Sequence, residues 1–261
     1  MNQMQKIYIA VSIILVLGMF FGLDTKPSEQ KLIEKSRANV FESIDIGKLI
    51  RDTKITLTAS EQDYFSSLEV IAGSTTDDSS KIEVYQRLSS DWYRKGEGVI
   101  AGHFAEKLAE IDNDAERWSI VGTTFGAALN QELEPRSGQY AFKKAIEAFE
   151  NAISLDPDQL NHRLNRAILY AEHPQPDDPM KGIQLLLELN RQNPESIQVL
   201  YHLARFGMQT GQYEKAIGRI EKGLLIDPEN IKLICLAAEA YKAINDQEKY
   251  AIYNAFCTNK N

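Results

Sequence analysis

From Tyr85 to the end of the chain, apolar residues recur three and four positions apart in one segment after another, and no segment alternates apolar with polar as a half-buried strand does. Residues at those spacings share a helix face, so the pattern predicts an all-α fold. Ala145, Phe149 and Ala152 show the arrangement best: small residues let neighbouring helices approach and the aromatic fills the gap between them. Asp156-Pro157, Asn193-Pro194 and Asp227-Pro228 punctuate the pattern. Proline disfavours helical geometry in the residue before it and suits the first turn of a helix, so each pair is expected to end one helix and begin the next. By the same logic Asp178 is expected as an N-cap with Pro179 at the first helical position. Gly96-Glu97-Gly98 reads as a turn between helices. Two longer interruptions, Gln131 to Gly138 with Pro135 and Gly138 as breakers, and Glu172 to Pro179, read as insertions.

The first eighty residues have another pattern. Ile7 to Leu23 is a continuous apolar stretch of 17 residues, about 25 Å as a helix, at the short end of what spans a bilayer. No A-x-A-like site and no lipid-bearing cysteine comes after it, which predicts a transmembrane signal anchor at 7–23 behind a short tail at 1–6; a cleaved signal peptide is the alternative. Orientation is ambiguous: Lys6 precedes the stretch as in an export signal, whereas Lys26, Lys31, Lys35 and Arg37 come after it. The expected address is a single-pass protein of a bacterial inner membrane with its main domain extracytoplasmic. Residues 24–80 form a juxtamembrane helical segment, either a stalk or a helical pair covering the first of the later helices. Within it Ser60 and Asp63 resemble a capping box, and the polar run from Gly73 to Asp78 ends a helix.

The later segments repeat. Trp118, Val121, Gly122 and Phe125 spell W-x2-V-G-x2-F, and Ala145, Phe149, Ala152 and Pro157 come after a break as A-x3-F-x2-A-x4-P. The second half recurs as Gly182, Leu186, Leu189, Pro194 and as Ala216, Ile220, Gly223, Pro228, with 34 residues from Pro194 to Pro228. These motifs resemble the tetratricopeptide repeat family. The resemblance implies an α-solenoid of about five helix-turn-helix repeats over 81–261, at about 82–114, 115–159, 160–196, 197–230 and 231–261, behind the single N-terminal transmembrane helix. In the first, Asn113 stands where the family usually has proline; in the third, Arg163 and Arg166 occupy positions that are normally apolar. The last helix, ending in Thr258-Asn259-Lys260-Asn261, reads as a cap with a polar outer face.

Composition narrows the function. A net charge of −8 in 261 residues opposes a general nucleic-acid partner, which needs clustered Lys and Arg. Cys235 and Cys257 make neither a C-x-x-C motif, a disulfide framework nor a zinc site, and read as two small semi-buried thiols that leave the compartment open. His103, His162, His173 and His202 are dispersed, match no metal spacing, and each reads as a helix-surface residue. No nucleophile elbow, phosphate loop or dinucleotide fingerprint is present, so neither an enzyme nor a bound cofactor or metal is expected.

What remains is a surface. In the family, ligands lie along a groove built by the first helix of each pair, and the corresponding positions here include Asn161, Leu164, Ile168, Gln198, Tyr201, Arg205, Met208 and Lys232. Counting from Gly122 in the second repeat adds Glu116, Ser119, Thr123, Gly126 and Ala127. The resemblance thus implies a membrane-tethered scaffold, monomeric in its repeat domain, that binds a peptide or helix of a partner protein in this groove. The alternative is a structural or assembly subunit of a membrane complex, for example in respiratory-cytochrome maturation.

Overall fold

The computed structural model describes Gln5 and residues 44–259, so the expected anchor at 7–23 lies outside the described residues. Among those residues, no helix is long and apolar enough to cross a membrane. From Asp45 onward the described residues form one unit of twelve α-helices: α1 Ile46–Ile55, α2 Ala59–Ser74, α3 Asp78–Arg94, α4 Gly98–Asp112, α5 Ala115–Ala128, α6 Pro135–Leu155, α7 Leu160–Glu172, α8 Lys181–Gln192, α9 Ile197–Gln209, α10 Tyr213–Ile226, α11 Ile231–Ala243 and α12 Gln247–Asn259. The described residues form no strand beyond an isolated bridge between Gln175 and Asp178. The fold is an all-α helical solenoid.

Consecutive helices pair, α3 with α4 through to α11 with α12, and each pair packs on the next. The first helices α5, α7, α9 and α11 also touch one another in that order, forming a layer. Small residues on facing helices set this spacing. A Cβ on Gly122 would lie 2.6 Å from the Phe149 ring, and one on Gly182 only 2.1 Å from the backbone nitrogen of Ala171, so α8 rides directly on the α7 backbone. Leu164, Ala167, Leu186, Leu189, Val199, Leu203 and Phe206 join α7 and α8 to α9; Ala204, Ala216, Ile220, Leu233, Ala237 and Tyr241 join α9 and α10 to α11.

α1 and α2 lie against the first pair. Phe65 and Leu68 of α2 enter a cluster with Leu88, Trp92, Ile100 and Phe104, while Leu49 and Ile50 of α1 pack on its edge. The capping box of α2 is Thr58 with Glu61, two residues before the expected Ser60 and Asp63: the Thr58 side chain accepts from the Glu61 N–H and the Glu61 carboxylate accepts from the Thr58 N–H. Lys95 and Thr58 together hold the Glu61 carboxyl down at about 2. Tyr64 donates to Asp91 at 2.6 Å, a second tie between α2 and α3, and this bond raises the phenol above its ordinary value.

Several other expectations need correction. Of the expected insertion only residues 131–134 are loop: Pro135 sits at the first position of α6, which extends to 21 residues, and Gly138 lies inside it without breaking it. Proline's missing N–H costs nothing there, because the first turn of a helix leaves that donor unpaired anyway. Asp178 does not cap α8. It forms a turn with Gln175, and α8 begins at Lys181 after Met180, with no side-chain cap. Pro157, Pro194 and Pro228 stand in the turns and not at the start of the next helices, which begin at Leu160, Ile197 and Ile231. Asn113 has a physical reason to replace proline: it caps α4 at φ 43°, which a proline ring cannot adopt, and its side-chain oxygen accepts from the Trp118 indole at 3.1 Å.

The cysteines also differ from expectation. Cys235 on α11 and Cys257 on α12 are disulfide-bonded, with Cα atoms 5.0 Å apart. The antiparallel pairing brings the start of one helix beside the end of the other, a proximity that the sequence spacing does not display. The face of α12 is not polar either: Ile252 and Phe256, one turn apart, are both more than half exposed.

Candidate protein-interaction groove

The layer of first helices carries a groove of about 650 Å³ lined by residues of α5, α7, α9 and α11. Its geometry is a matter of register. Each of these helices begins immediately after a short turn, and the second residue of each, Glu116, Asn161, Gln198 and Lys232, faces the same groove. One turn further along, Ser119, Leu164 and Tyr201 form a second row. Residues three apart lie on one helix face, so the two rows are stacked. Asn165 and His202 widen the floor, and the groove adjoins a smaller depression of about 150 Å³ that shares Asn165 and contains Ile168 and Glu172.

The expected groove residues separate into three groups. Asn161, Leu164, Gln198, Tyr201 and Lys232 line the main groove, although Leu164 is nearly all buried and serves the core between α7 and α8. Ile168 lines the smaller depression. Arg205 and Met208 line neither of these. Arg205 is ion-paired with Glu172 at 2.6 Å and lies over the Phe206 ring, while Met208 packs on the cluster that joins α9 to α11. Asn165, Ile197, His202, Asn230 and Ile231 line the groove as well, and counting single positions misses them because each is adjacent to a counted position or caps the helix. A helix turns about 100° per residue, so immediate neighbours of a groove position border the same cleft.

Two free charges mark the ends of the first row. Among the described residues, neither Glu116 nor Lys232 has an ion-pair partner, and both are exposed. Between them stand uncharged carboxamides. Such groups both donate and accept hydrogen bonds, which suits them to a peptide backbone.

The histidines are not surface residues throughout. His162 is buried at 2 % exposure, with no partner for Nδ1 among the described residues. Burial holds His103 near 4, with Lys107 and Lys144 adding to the effect and Glu110 opposing it. Burial likewise holds His202 near 4, with Arg205 and Lys232 adding and Glu172 opposing. Both rings are therefore neutral in the fold at neutral pH. A depressed histidine favours the unfolded state once that state can bind a proton, so stability is lost as pH falls from about 6.5 towards 4. The thermal midpoint should decline across that window, and His103→Gln should flatten the decline; a midpoint constant from pH 7 to 4 would contradict both assignments.

Residues 141–159 and 197–230 match the family model for the tetratricopeptide repeat, so the chain carries repeats of this kind. Among curated proteins none matches the chain. Among solved structures, Pseudomonas aeruginosa PilF is 17 % identical over 70 % of this chain and 78 % of its own, with a TM-score of 0.50. A MamA fragment from Desulfovibrio magneticus RS-1 is 18 % identical over 69 % of this chain and 94 % of its own, with a TM-score of 0.47. The PilF likeness shows the helical-repeat fold alone.

Proposed function

We propose that the chain is a non-enzymatic, membrane-tethered interaction scaffold that takes a peptide or helix of a partner protein in the groove across α5, α7, α9 and α11. The observation that carries this reading is the row of outward-facing second residues, which offers side-chain hydrogen bonds on a surface whose supporting residues are locked in the core. Tyr201, Ile197 and Ile231 add the apolar contact such a site needs. The tether is the apolar stretch 7–23. The Cys235–Cys257 disulfide supports an extracytoplasmic repeat domain, since structural disulfides persist on the oxidising side of the membrane.

The test is capture of a partner by crosslinking in native membranes, compared between the unaltered chain and Asn161→Ala with Gln198→Ala. Both side chains lie at the groove and outside the buried core, so helicity should be unchanged while capture weakens by about 1–3 kcal/mol. One observation favours the second reading, a permanent assembly subunit: Ile252 and Phe256 leave an apolar face on the terminal helix. A partner retained at full strength by the groove variant and lost on Phe256→Ala would select that reading over the groove.

A further inference from the structure

The groove is electrically polar along its length. Its first row runs from an acid on α5 through two carboxamides on α7 and α9 to a base on α11: Glu116, Asn161, Gln198, Lys232. All four occupy the same register position, the second residue of their helices, so the sequence of charge is also a sequence in space. The charges at its ends have no partner within the described residues, whereas the neighbouring pair Arg205–Glu172 is closed on itself. On the Lys232 side, His202 is neutral and adds no second positive charge at neutral pH.

Resting on the interaction reading above, we propose that the groove selects an extended peptide segment of separated charge, with a basic side chain against Glu116 and an acidic side chain against Lys232. Packed helices lie roughly 8–10 Å apart, so three steps from α5 to α11 span about 25–30 Å. An extended chain covers this with about eight or nine residues, which sets the distance between the two charges. The carboxamides of Asn161, Asn165 and Gln198 meet the intervening backbone, where they discriminate little between side chains. Specificity is therefore concentrated at the two ends. Like-charge juxtaposition at either end disfavours the wrong peptide as strongly as the matching pair favours the right one.

The experiment selects a displayed library of random nonapeptides against the full chain in detergent, at low and at high salt. The unaltered chain should enrich peptides with a base near one end and an acid near the other, in either direction, by about tenfold over peptides with like charges at both ends. Glu116→Lys should turn the selection to acids at both ends, Lys232→Glu to bases at both ends, and the double reversal should restore separated charge. High salt should erase these preferences, because both charges are exposed. The neutral variants Glu116→Gln and Lys232→Gln, which should each lose the preference at one end only, guard against misfolding of a reversal. Enriched peptides with no charge pattern, or with one pattern shared by all variants, would overturn the proposal while leaving a peptide groove in place. Enrichment no greater than that of Asn161→Ala with Gln198→Ala would overturn the groove itself, and the proposal with it.

Discussion

Trp92→Ala is expected to cost about 3–5 kcal/mol, the range for emptying a large aromatic site, with the loss concentrated at the N-terminal end. The indole is fully buried and stacks on Phe65 with ring centroids 4.1 Å apart and planes within 22°. Around it lie Leu88, Ile100, Ala101 and Phe104, with Leu49 and Ile50 of α1 at the margin. The side chain therefore lies at the centre of the apolar cluster through which α1 and α2 adhere to α3 and α4. In a solenoid each pair contacts only its neighbours, so the damage should not spread evenly. Amides of α1 and α2 should exchange orders of magnitude faster while those of α9 to α11 keep their protection. Trp92→Phe should cost much less, since it keeps the stack and removes an indole N–H that has no partner among the described residues. A uniform rise in exchange from α1 to α12 would mean that the unit unfolds as a whole and that this account of its N-terminal end is wrong.

Much of the architecture was legible because it is written in local spacing. The Gly122, Phe125, Ala145 and Phe149 signs of close helix contact appear as glycine against ring in the fold, and Asp156, Asn193 and Asp227 do close their helices. Errors cluster where a local signal has two structural meanings. Pro135 breaks a helix or opens one, and only the contacts of the residues after it decide; here it opens α6. Ser60 reads as the cap from its spacing to Asp63, but Thr58 takes that place because the Glu61 side chain reaches its N–H. Burial of His162 and pairing of Cys235 with Cys257 are properties of neighbours brought together by packing, so no spacing rule exposes them. The groove positions were countable from the family register. That Arg205 is occupied by Glu172, and that Glu116 and Lys232 have no ion-pair partner among the described residues, required the ion pairs themselves.

Breaking the Cys235–Cys257 bond is expected to loosen the other end of the solenoid. α12 has no buried side chain among its described residues; Tyr253 stacks on Tyr241, and Lys249 reaches the Tyr241 hydroxyl at 3.1 Å. Tyr250 and Tyr253 are half-buried against the cluster that joins α10 to α11, and the disulfide adds a covalent tie to these contacts. Closing a loop over a sequence separation of 22 restricts the unfolded chain by about 3 kcal/mol in the loop-entropy account. Most of that should appear locally, because α12 can detach while α9, α10 and α11 remain packed through Ile220, Leu233 and Leu236. Reduced protein, and equally Cys235→Ser with Cys257→Ser, should therefore show fast amide exchange in α12 and protease cleavage near Asn245, whose left-handed φ of 61° marks the turn before it. The groove should keep its shape, as Lys232 is on α11 and not on the helix that leaves. Unchanged protection of α12 after complete reduction would show that Tyr253 and its neighbours hold the helix unaided, and would remove the disulfide from any structural account of this end.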